Sequence, residues 1–461
     1  MSPEDFRRNG HALVEWVAHY MERVGELPVQ ARVAPGEVRA RLPPAAPEEP
    51  EPFEALVRDL DEVVLPGTTH WQSPGWFAYF PGNASPPSVL AELVAAALGT
   101  QGMLWSTSPA ATEIEAHVLD WLVDLLGLPQ HFKTAVGPGG GVIQMSASDS
   151  THVAHVVARR LAVDRGAATD DVVAYSSSQA HSSIEKGARV AGIRHVRLID
   201  VDDRFALRPD ALARAIERDA AAGLAPAIVT SAVGTTATGA VDPVRAIADV
   251  ARAHGAWHHV DAAWAGAAMV CPEHRVHQDG AELADSYVFN AHKWLLTNFD
   301  CSVLWVADRA PLVDTLSIVP PYLRNAASES GEVIDYRDWH VPLGRRFRAL
   351  KLWWVLRSYG ARAIRDRIRE HVRLARVLGE RVDAHPALER VAPVSFALVC
   401  FAHVDGDTAT TALEEAVNAD GSVYVTGSAI DGRRFLRVAI GATWTTERDV
   451  ERLWSIIRAA L

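Results

Sequence analysis

The chain has 461 residues, of which 49% are hydrophobic and 22% charged, a composition typical of a globular protein with more than one domain. Its formal net charge of −12 at pH 7 argues against a nucleic-acid partner or an anionic membrane surface. The first residues lack the charged region and apolar core of a signal peptide, and the apolar segment 89–99 is too short to span a bilayer. Cys271, Cys301 and Cys400 have no paired or metal-binding spacing, which favours a reducing, cytoplasmic location.

Residues 1–84 are predicted to form a helical N-terminal segment. Apolar spacing indicates a helix over 6–26, a linker rich in Pro and Glu follows at 42–52, and a second helix covers about 53–64. The aromatic stretch 70–81 contains two prolines and is not predicted to be helical. So much aromatic surface must pack against something, and a second subunit is one candidate.

Residues 85–348 show the alternation of strands and helices that is typical of an α/β domain. Short apolar runs separated by helical segments predict a mostly parallel sheet with helices on both faces. The predicted strands are 172–175, 195–201, 227–233, 257–260, 286–290 and 301–307. Residues 349–461 are predicted to be a smaller α+β domain. It has a long helix from about 349, another over 361–382, strands at 396–401, 422–426 and 435–440, and a closing helix after Thr445.

One lysine and one aspartate indicate a cofactor. Lys293 follows the predicted strand 286–290 and comes 32 positions after Asp261, which ends another strand. Pyridoxal phosphate (PLP) requires an amine that binds its aldehyde and a carboxylate beneath its ring nitrogen. A partly buried lysine loses its proton readily, so it can be that amine. The aspartate would keep the ring nitrogen protonated, so that the ring accepts the electrons released when a bond at Cα breaks.

Three further segments are weaker indications of the same site. The glycine run 137–141 leads into a Ser-rich helix start at 146–150, where backbone N–H groups can bind a phosphate. The loop 234–239 could reach a ligand from a strand end, although by itself a β-turn with polar filler explains it better. His181 could stack on a flat cofactor ring or simply begin a helix. Asp242 is interpreted as a turn or cap residue, with a supporting role at the site as the alternative.

Other histidine and arginine clusters are not interpreted as sites. His152 with His155, and His274 with His277, have helical metal-ligand spacing, but no further ligand completes a metal site, so none is predicted. The basic cluster 345–348 is interpreted as structural ion pairs or a phosphate contact, since the acidic net charge disfavours nucleic acid.

With these residues in place, the chain resembles the aromatic-L-amino-acid decarboxylases, which are PLP-dependent group II decarboxylases. The resemblance runs nearly end to end and is strongest over 335–339 and 342–348. The segments that carry it are 70–81, 108–115, 139–148, 259–266, 290–301 and 335–353. The resemblance implies a type I PLP-dependent (aspartate aminotransferase-like) fold and an intertwined homodimer with active sites at the subunit interface. It also implies decarboxylation of an aromatic L-amino acid to its amine and CO₂.

The resemblance assigns roles residue by residue. Lys293 would bind the cofactor aldehyde, Asp261 would pair with the ring nitrogen, and His181 would stack on the ring. Tyr322 matches the tyrosine of a mobile catalytic loop that returns a proton to Cα. The other residues implied at the cofactor are Ala147, Ser148, Thr236, Asn290 and His292. The implied substrate-binding residues are Trp71, Tyr79, Phe80, Pro81, Gly82, Met103, Phe299, Leu343 and Gly344.

Departures from the family pattern leave the substrate open. Met103 replaces a common phenylalanine, Gln101 replaces an apolar residue, and Gly82 stands where Thr or Ser is common, so tryptophan, tyrosine, phenylalanine and their hydroxylated derivatives all remain candidates. An aldehyde synthase of the same family is the alternative, which Tyr322 and His181 disfavour. The aromatic stretch disfavours an aminotransferase or a glutamate-type decarboxylase. The intact set of site residues disfavours a binding or scaffold protein with a vestigial site.

Overall fold

The computed structural model describes residues 1–318, 326–329 and 332–461. The chain forms two compact units, which are described separately. The smaller unit comprises Met1–Pro81, Arg381–Glu389 and Phe401–Leu461, and the larger comprises Gly82–Glu380 and Arg390–Cys400. The division into three domains at residues 84 and 348 stays a prediction.

The larger unit contains a seven-stranded sheet with the order β1-β7-β6-β5-β4-β2-β3. Its strands are β1 (Gly140–Gln144), β2 (Val172–Ser177), β3 (His195–Ile199), β4 (Ala225–Ala232), β5 (Trp257–Asp261), β6 (Ser286–Asn290) and β7 (Ser302–Val306). Neighbouring strands from β3 to β6 pair in parallel, whereas β7 is antiparallel to both β6 and β1. The predicted mostly parallel sheet is therefore confirmed.

Both faces of this sheet are buried, which explains why its strands are continuous apolar runs. Along β2, Val172 and Ala174 belong to one hydrophobic core, and Val173 and Tyr175 belong to the other. Because successive side chains of a strand point to opposite faces, the sheet separates two cores, each covered by helices. The helices assigned to this unit are α4 (Pro86–Leu98), α5 (Pro109–Leu126), α6 (Ala147–Asp164), α7 (Ser183–Val190), α8 (Pro209–Ala221), α9 (Val244–Ala253), α10 (Ala291–Trp294), α11 (Ala310–Leu316) and α12 (Ala326–Glu329), together with most of α13 (Arg348–Asp383).

The glycine run before α6 has a role in packing that the sequence did not reveal. Gly140 and Gly141 lie in β1, a strand that the sequence did not reveal. A Cβ on Gly140 would lie 2.8 Å from Trp339 Cη2, and one on Gly141 would lie 2.7 Å from Trp305 Nε1. These two glycines therefore make room for two tryptophan rings. A role of the glycine run 137–141 in approaching an anion stays a prediction.

The smaller unit contains helices and part of a four-stranded sheet of order β10-β11-β9-β8. The strands of that sheet are β8 (Leu388–Arg390), β9 (Leu398–His403), β10 (Thr426–Ile430) and β11 (Arg433–Ala439). The helices assigned to this unit are α1 (Pro3–Arg23), α2 (Glu37–Ala40), α3 (Phe53–Asp59), α14 (Asp407–Asp420) and α15 (Glu447–Ala460). The strand predicted at 422–426 was misplaced, because the observed strand begins at Thr426. Among the helices that the structure describes, none is both long enough and apolar enough to cross a bilayer.

The predicted helices are confirmed with small changes at their ends. The predicted helix 6–26 is α1 followed by a 3₁₀ turn, Val24–Glu26, and Ser2 begins α1 with a capping box. The two long helices predicted beyond residue 349 are the two parts of α13, which meet at Gly360. Gly360 has φ 71°, a left-handed conformation that ends a regular helix. The non-helical aromatic stretch is also confirmed, and its Trp76 and Phe77 are buried within the smaller unit.

Candidate active site

The predicted lysine and aspartate lie at the same edge of the central sheet. Asp261 ends β5 and is in register with Ala232, the last residue of β4, and with Val288 of β6. β6 ends at Asn290, and Lys293 is in the short helix α10 that follows directly. Because β4, β5 and β6 are parallel, their carboxyl ends open onto one crevice, the usual ligand site of such sheets.

The electrostatics of His181 link this histidine to the same crevice. Burial lowers its pKa below the ordinary value, the negative charge of Asp261 opposes that change, and the positive charge of Lys293 adds to it. His181 Nδ1 accepts a hydrogen bond from the Ser183 N–H at 3.1 Å, which fixes the ring. The structure thus brings His181, Asp261 and Lys293 close enough to influence one another, as the sequence predicted.

The backbone around Lys293 is fixed by Asn83, a residue that sequence reasoning missed. The Asn83 N–H donates to His292 O at 3.0 Å, and the Asn83 side-chain amide donates to Lys293 O. These bonds satisfy carbonyls of α10, which has only four residues and too few internal partners of its own. The contact spans 210 residues, so no local pattern could have revealed it.

The residues on either side of Lys293 are also fixed. His292 Nδ1 accepts from the Cys301 N–H at 2.9 Å, and burial lowers the pKa of His292 to about 3, so this ring is neutral. Trp294 Nε1 donates to His371 Nδ1 at 3.0 Å, and the Trp294 ring stacks on Trp264 with 5.1 Å between centroids. The lysine therefore extends from a rigid base into the crevice, where its side chain is partly exposed.

The start of α6 provides the anion-binding end of the site. Ser146 caps the helix by accepting from the Asp149 N–H at 3.2 Å, Ala147 is buried, and Ser148 is exposed. Gln144, two residues earlier, is in register with Ser302, and Ser302 is in register with Asn290. The helix start and Asn290 therefore lie at the same sheet edge, where N–H groups and the helix dipole favour a phosphate.

A buried amide oxygen at this sheet edge could accept a hydrogen bond from a donor group of a ligand. Among the residues that the structure describes, the buried Asn290 Oδ1 has no hydrogen-bond partner. An unpaired buried polar group costs free energy, so such groups in native proteins usually find a partner. Together with the exposed Ser148 and the helix start, this atom fits a polar cofactor at the sheet edge.

Thr236 lies in a tight loop beyond β4. Gly234 and Gly239 have φ 86° and 73°, and Thr235 Oγ1 accepts from the Ala240 N–H at 2.9 Å. This arrangement leaves Thr236 exposed within the loop. Asp242 fixes the end of the strand, because its carboxylate accepts from the N–H groups of Leu207 and Ala232, both at 2.7 Å. Asp242 thus supports the strand end that carries the loop.

Four of the predicted substrate-binding residues lie near the surface of the larger unit. Phe299 is 67% exposed and meets the His292 ring edge-on, with 4.7 Å between centroids. Gly344 lies beside Gln101, because a Cβ at Gly344 would be 3.5 Å from Gln101 Oε1. Leu343 is exposed next to it, and Met103 is partly buried two residues beyond Gln101. Gly82, also predicted in this group, begins the larger unit directly before Asn83.

The remaining predicted pocket residues, Trp71, Tyr79, Phe80 and Pro81, belong to the smaller unit. Trp71 stacks on Trp76 with 4.1 Å between centroids and on Tyr79 with 5.8 Å. The guanidinium of Arg437 lies 5.0 Å from the centre of the Phe80 ring. Tyr322, the predicted proton donor, lies outside the described residues.

The clusters that were not interpreted as sites have structural roles. Within the basic cluster 345–348, Arg345 forms a buried ion pair with Glu115 at 2.6 Å, and Arg348 pairs with Asp300 at 3.0 Å. The interpretation as ion pairs is therefore confirmed. His155 Nδ1 bonds to Thr151 O at 2.7 Å within its own helix. The His274 and His277 rings pack edge-on against Phe396.

A sheet-edge lysine and aspartate, a histidine beside them and an anion-binding helix start define a PLP-dependent enzyme of the α/β class. Comparison with known proteins narrows the class, because the pyridoxal-dependent decarboxylase conserved domain matches residues 35–404. The chain belongs to the pyridoxal-dependent decarboxylase family. The predicted family, type I fold, PLP cofactor and carboxy-lyase class are thereby confirmed.

Individual relatives match the chain over nearly its whole length. Phenylacetaldehyde synthase of Arabidopsis thaliana is 44% identical over 99% of this chain and 96% of that protein. Tryptophan decarboxylase 2 of Oryza sativa subsp. japonica is 41% identical over 99% of this chain and 95% of that protein. A crystal structure of Oryza sativa TDC with PLP and tryptamine has a TM-score of 0.98 and 40% identity, and it covers 100% of this chain and 98% of that chain.

Proposed function

We propose that this protein decarboxylates an aromatic L-amino acid, namely tryptophan, tyrosine, phenylalanine or a hydroxylated derivative, to the corresponding amine and CO₂. The observation that carries the proposal is the meeting of Lys293, Asp261 and His181 at one sheet edge in a decarboxylase fold. The aromatic substrate is supported by the exposed, stacked rings of Trp71 and Tyr79. It is also supported by relatives named for tryptophan decarboxylation and phenylacetaldehyde synthesis.

In this proposal, one group of site residues holds the cofactor and another group orients the substrate. Lys293 would bind the cofactor aldehyde, Asp261 would pair with the ring nitrogen, and His181 would lie against the ring. The cofactor contacts are completed by Ala147, Ser148, Thr236, Asn290 and His292. When bound, PLP supplies an electron-accepting ring that stabilises the charge left on Cα as CO₂ departs.

The pocket residues orient the substrate and favour cleavage of its bond to the carboxylate. Aromatic walls hold the substrate side chain by stacking and exclude water, which favours loss of the charged carboxylate. The residues assigned to this pocket are Trp71, Tyr79, Phe80, Pro81, Gly82, Met103, Phe299, Leu343 and Gly344. Tyr322, His181 and Lys293 are the catalytic residues in this proposal, and Tyr322 returns the proton to Cα.

The working form in this proposal is a cytoplasmic homodimer with active sites at the subunit interface. Leu90, Leu93 and Leu98 of α4 are each about half exposed, at spacings that put them near one helix face. Exposed apolar surface of this kind indicates a protein contact. The three cysteines are all free and buried, which is consistent with a reducing compartment. A molar mass near 100 kDa by light scattering would support the dimer, since the chain is 50.0 kDa.

An aldehyde synthase is the second candidate, because a relative of that name is 44% identical to this chain. Such an enzyme would convert the same substrates, with oxygen and water as co-substrates, into aldehyde, CO₂, ammonia and hydrogen peroxide. Tyr322 and His181 favour the amine, since a phenol can protonate Cα before oxygen reacts there.

The test is a product assay on the purified protein with PLP and a panel of aromatic amino acids, with glutamate and histidine included. We expect tryptamine, tyramine, dopamine or phenethylamine by mass spectrometry, with one equivalent of CO₂. Aldehyde and peroxide in equal amounts would favour the second candidate. Turnover of glutamate or histidine alone would overturn the aromatic assignment.

A further inference from the structure

A buried ion pair joins Glu115 and Arg345 within the larger unit. Glu115, on α5, is 2% exposed, and Arg345 is 4% exposed. Arg345 Nη2 lies 2.6 Å from Glu115 Oε1. Taking two charges out of water is costly, so a buried pair of this kind depends on further hydrogen bonds to its neighbours.

Both members of the pair bond to the backbone of Ile143 in β1. The Ile143 N–H donates to Glu115 Oε1 at 2.8 Å, and Arg345 Nη2 donates to Ile143 O at 2.9 Å. β1 is at one edge of the seven-stranded sheet, so one side of its backbone faces away from β7. Ile143 is 1% exposed, so its N–H and C=O need partners other than bulk water. The ion pair therefore takes the place of a neighbouring strand at this point of the sheet edge.

Arg345 is itself held on several sides. Its N–H donates to Gln101 Oε1 at 3.1 Å, and its carbonyl accepts from the Gly102 N–H at 3.0 Å. Its guanidinium carbon lies 4.6 Å from the centre of the Tyr336 ring, a favourable position for a cation over an aromatic face. Because its backbone and its guanidinium are both fixed, Arg345 is a rigid anchor for β1.

The strand that is anchored in this way leads directly into α6. β1 ends at Gln144, and Ser146 caps the helix two residues later. The Met145 N–H donates to Asp149 Oδ2 at 3.4 Å, and the Asp149 N–H donates to Ser146 Oγ at 3.2 Å. The connection is short and hydrogen-bonded, so a displacement of β1 would also move the helix start. The N–H groups and the dipole of that helix start favour a phosphate.

We propose that Glu115 and Arg345 are positioning residues for the cofactor phosphate. They hold β1, and through β1 the start of α6, in the place where the phosphate would bind. This inference rests on the proposed cofactor contacts of Ala147 and Ser148. Since the pair acts on the phosphate end of the site, its loss should weaken binding of PLP more than binding of the same ring without a phosphate.

The test is fluorescence titration of the Arg345→Lys apoprotein with PLP and with pyridoxal, which has the same ring and aldehyde but no phosphate. A lysine keeps the positive charge, but it is shorter and lacks the planar fork, so it should lose its bond to Ile143 O or to Glu115. We expect the Kd for PLP to rise about three- to tenfold, which corresponds to one hydrogen bond. The Kd for pyridoxal should stay within about twofold of the wild-type value.

The matched control is Arg197→Lys, at the opposite edge of the same sheet. Arg197 lies in β3 and forms an ion pair with Asp219 at 2.8 Å. Both of its Kd values should match those of the wild type. In Arg345→Lys, equal increases for PLP and pyridoxal would mean that the pair supports the fold as a whole. That result, or an unchanged Kd for PLP, would overturn the inference.

A second variant keeps the test decisive if Arg345→Lys does not fold. Glu115→Gln/Arg345→Met removes both charges at similar volume, so no unpaired charge is left in the core. The same selective loss of PLP affinity is expected, and equal losses for the two ligands would again contradict the inference. If the wild type binds PLP no more tightly than pyridoxal, the proposed phosphate site fails first. This outcome is distinguishable, because it is seen before any variant is measured.

Discussion

At the scale of single residues, the proposed function assigns Lys293 and Asp261 to two different parts of the cofactor. Lys293 is partly exposed in the crevice, so removing its side chain leaves no cavity in the core. We expect Lys293→Ala to lower amine formation by at least about a thousandfold without loss of folding. Amine release, visible absorbance of bound cofactor and circular dichroism would be measured together. Lys186→Ala, at an exposed position of α7, is the matched control, and normal turnover in Lys293→Ala would exclude the assigned role.

Tyr322 decides between the two products in the proposed mechanism. Tyr322→Phe keeps the ring and removes only the acidic proton, so protonation of Cα should slow and oxygen should compete for the same carbon. We expect less amine and more aldehyde and hydrogen peroxide from the same substrate. The ratio of aldehyde to amine is the measurement, with Tyr359→Phe as the control. An unchanged ratio would mean that a different group protonates Cα.

At the scale of elements, the sequence revealed six strands of the central sheet and missed β1, whose composition is unusual. In the smaller sheet it missed β8 and misplaced β10. The first residues of β2, β3, β5 and β6 were predicted correctly, because a doubly covered strand is a continuous apolar run. β1 was missed because Gly140 and Gly141 interrupt the apolar pattern. Glycine is needed at these two positions because tryptophan rings from distant parts of the chain pack against them. Lys293 and Asp261 were predicted because each follows or ends a strand. Asn83 was not predicted, because its role depends on a contact with residues far along the chain.

Asn83 stabilises the element that carries Lys293, because it donates hydrogen bonds to carbonyls of the short helix α10. In Asn83→Ala the bond from the Asn83 backbone N–H to His292 O remains, and the side-chain bond to Lys293 O is lost. We expect the cofactor Kd to rise about three- to tenfold, which corresponds to one hydrogen bond. Asn83→Asp should weaken binding at least as much, because a carboxylate cannot donate to a carbonyl. Fluorescence titration of the apoprotein with PLP measures both, and tighter binding in Asn83→Asp would contradict this role.

At the scale of the whole molecule, six buried histidines that stay neutral in the folded protein couple its stability to pH. Burial lowers the pKa of His155 to about 4 and the pKa values of His258, His259 and His371 to about 3. The same effect lowers the pKa values of His292 and His340 to about 3. Each stays neutral in the folded protein at a pH where it would be protonated in the unfolded chain. Folding is therefore coupled to proton release by residues spread over the larger unit.

The consequence is a loss of stability in mild acid. Below pH 6.5 the unfolded chain binds protons at these histidines and the folded protein does not, so the free energy of unfolding falls as the pH decreases. Asp242 opposes this trend, because burial raises its pKa to about 7 and the folded state then holds a proton that the unfolded state has lost. Burial also raises the pKa values of Asp149 and Asp285. Since six histidines act against these three aspartates, and each group can contribute up to about 1.4 kcal/mol per pH unit, we expect a net decrease between pH 6.5 and pH 4. Urea unfolding at constant protein and PLP concentration from pH 7.5 to 5 would measure it. A free energy of unfolding that stays constant or rises toward pH 5 would mean that these histidines are already protonated in the folded protein.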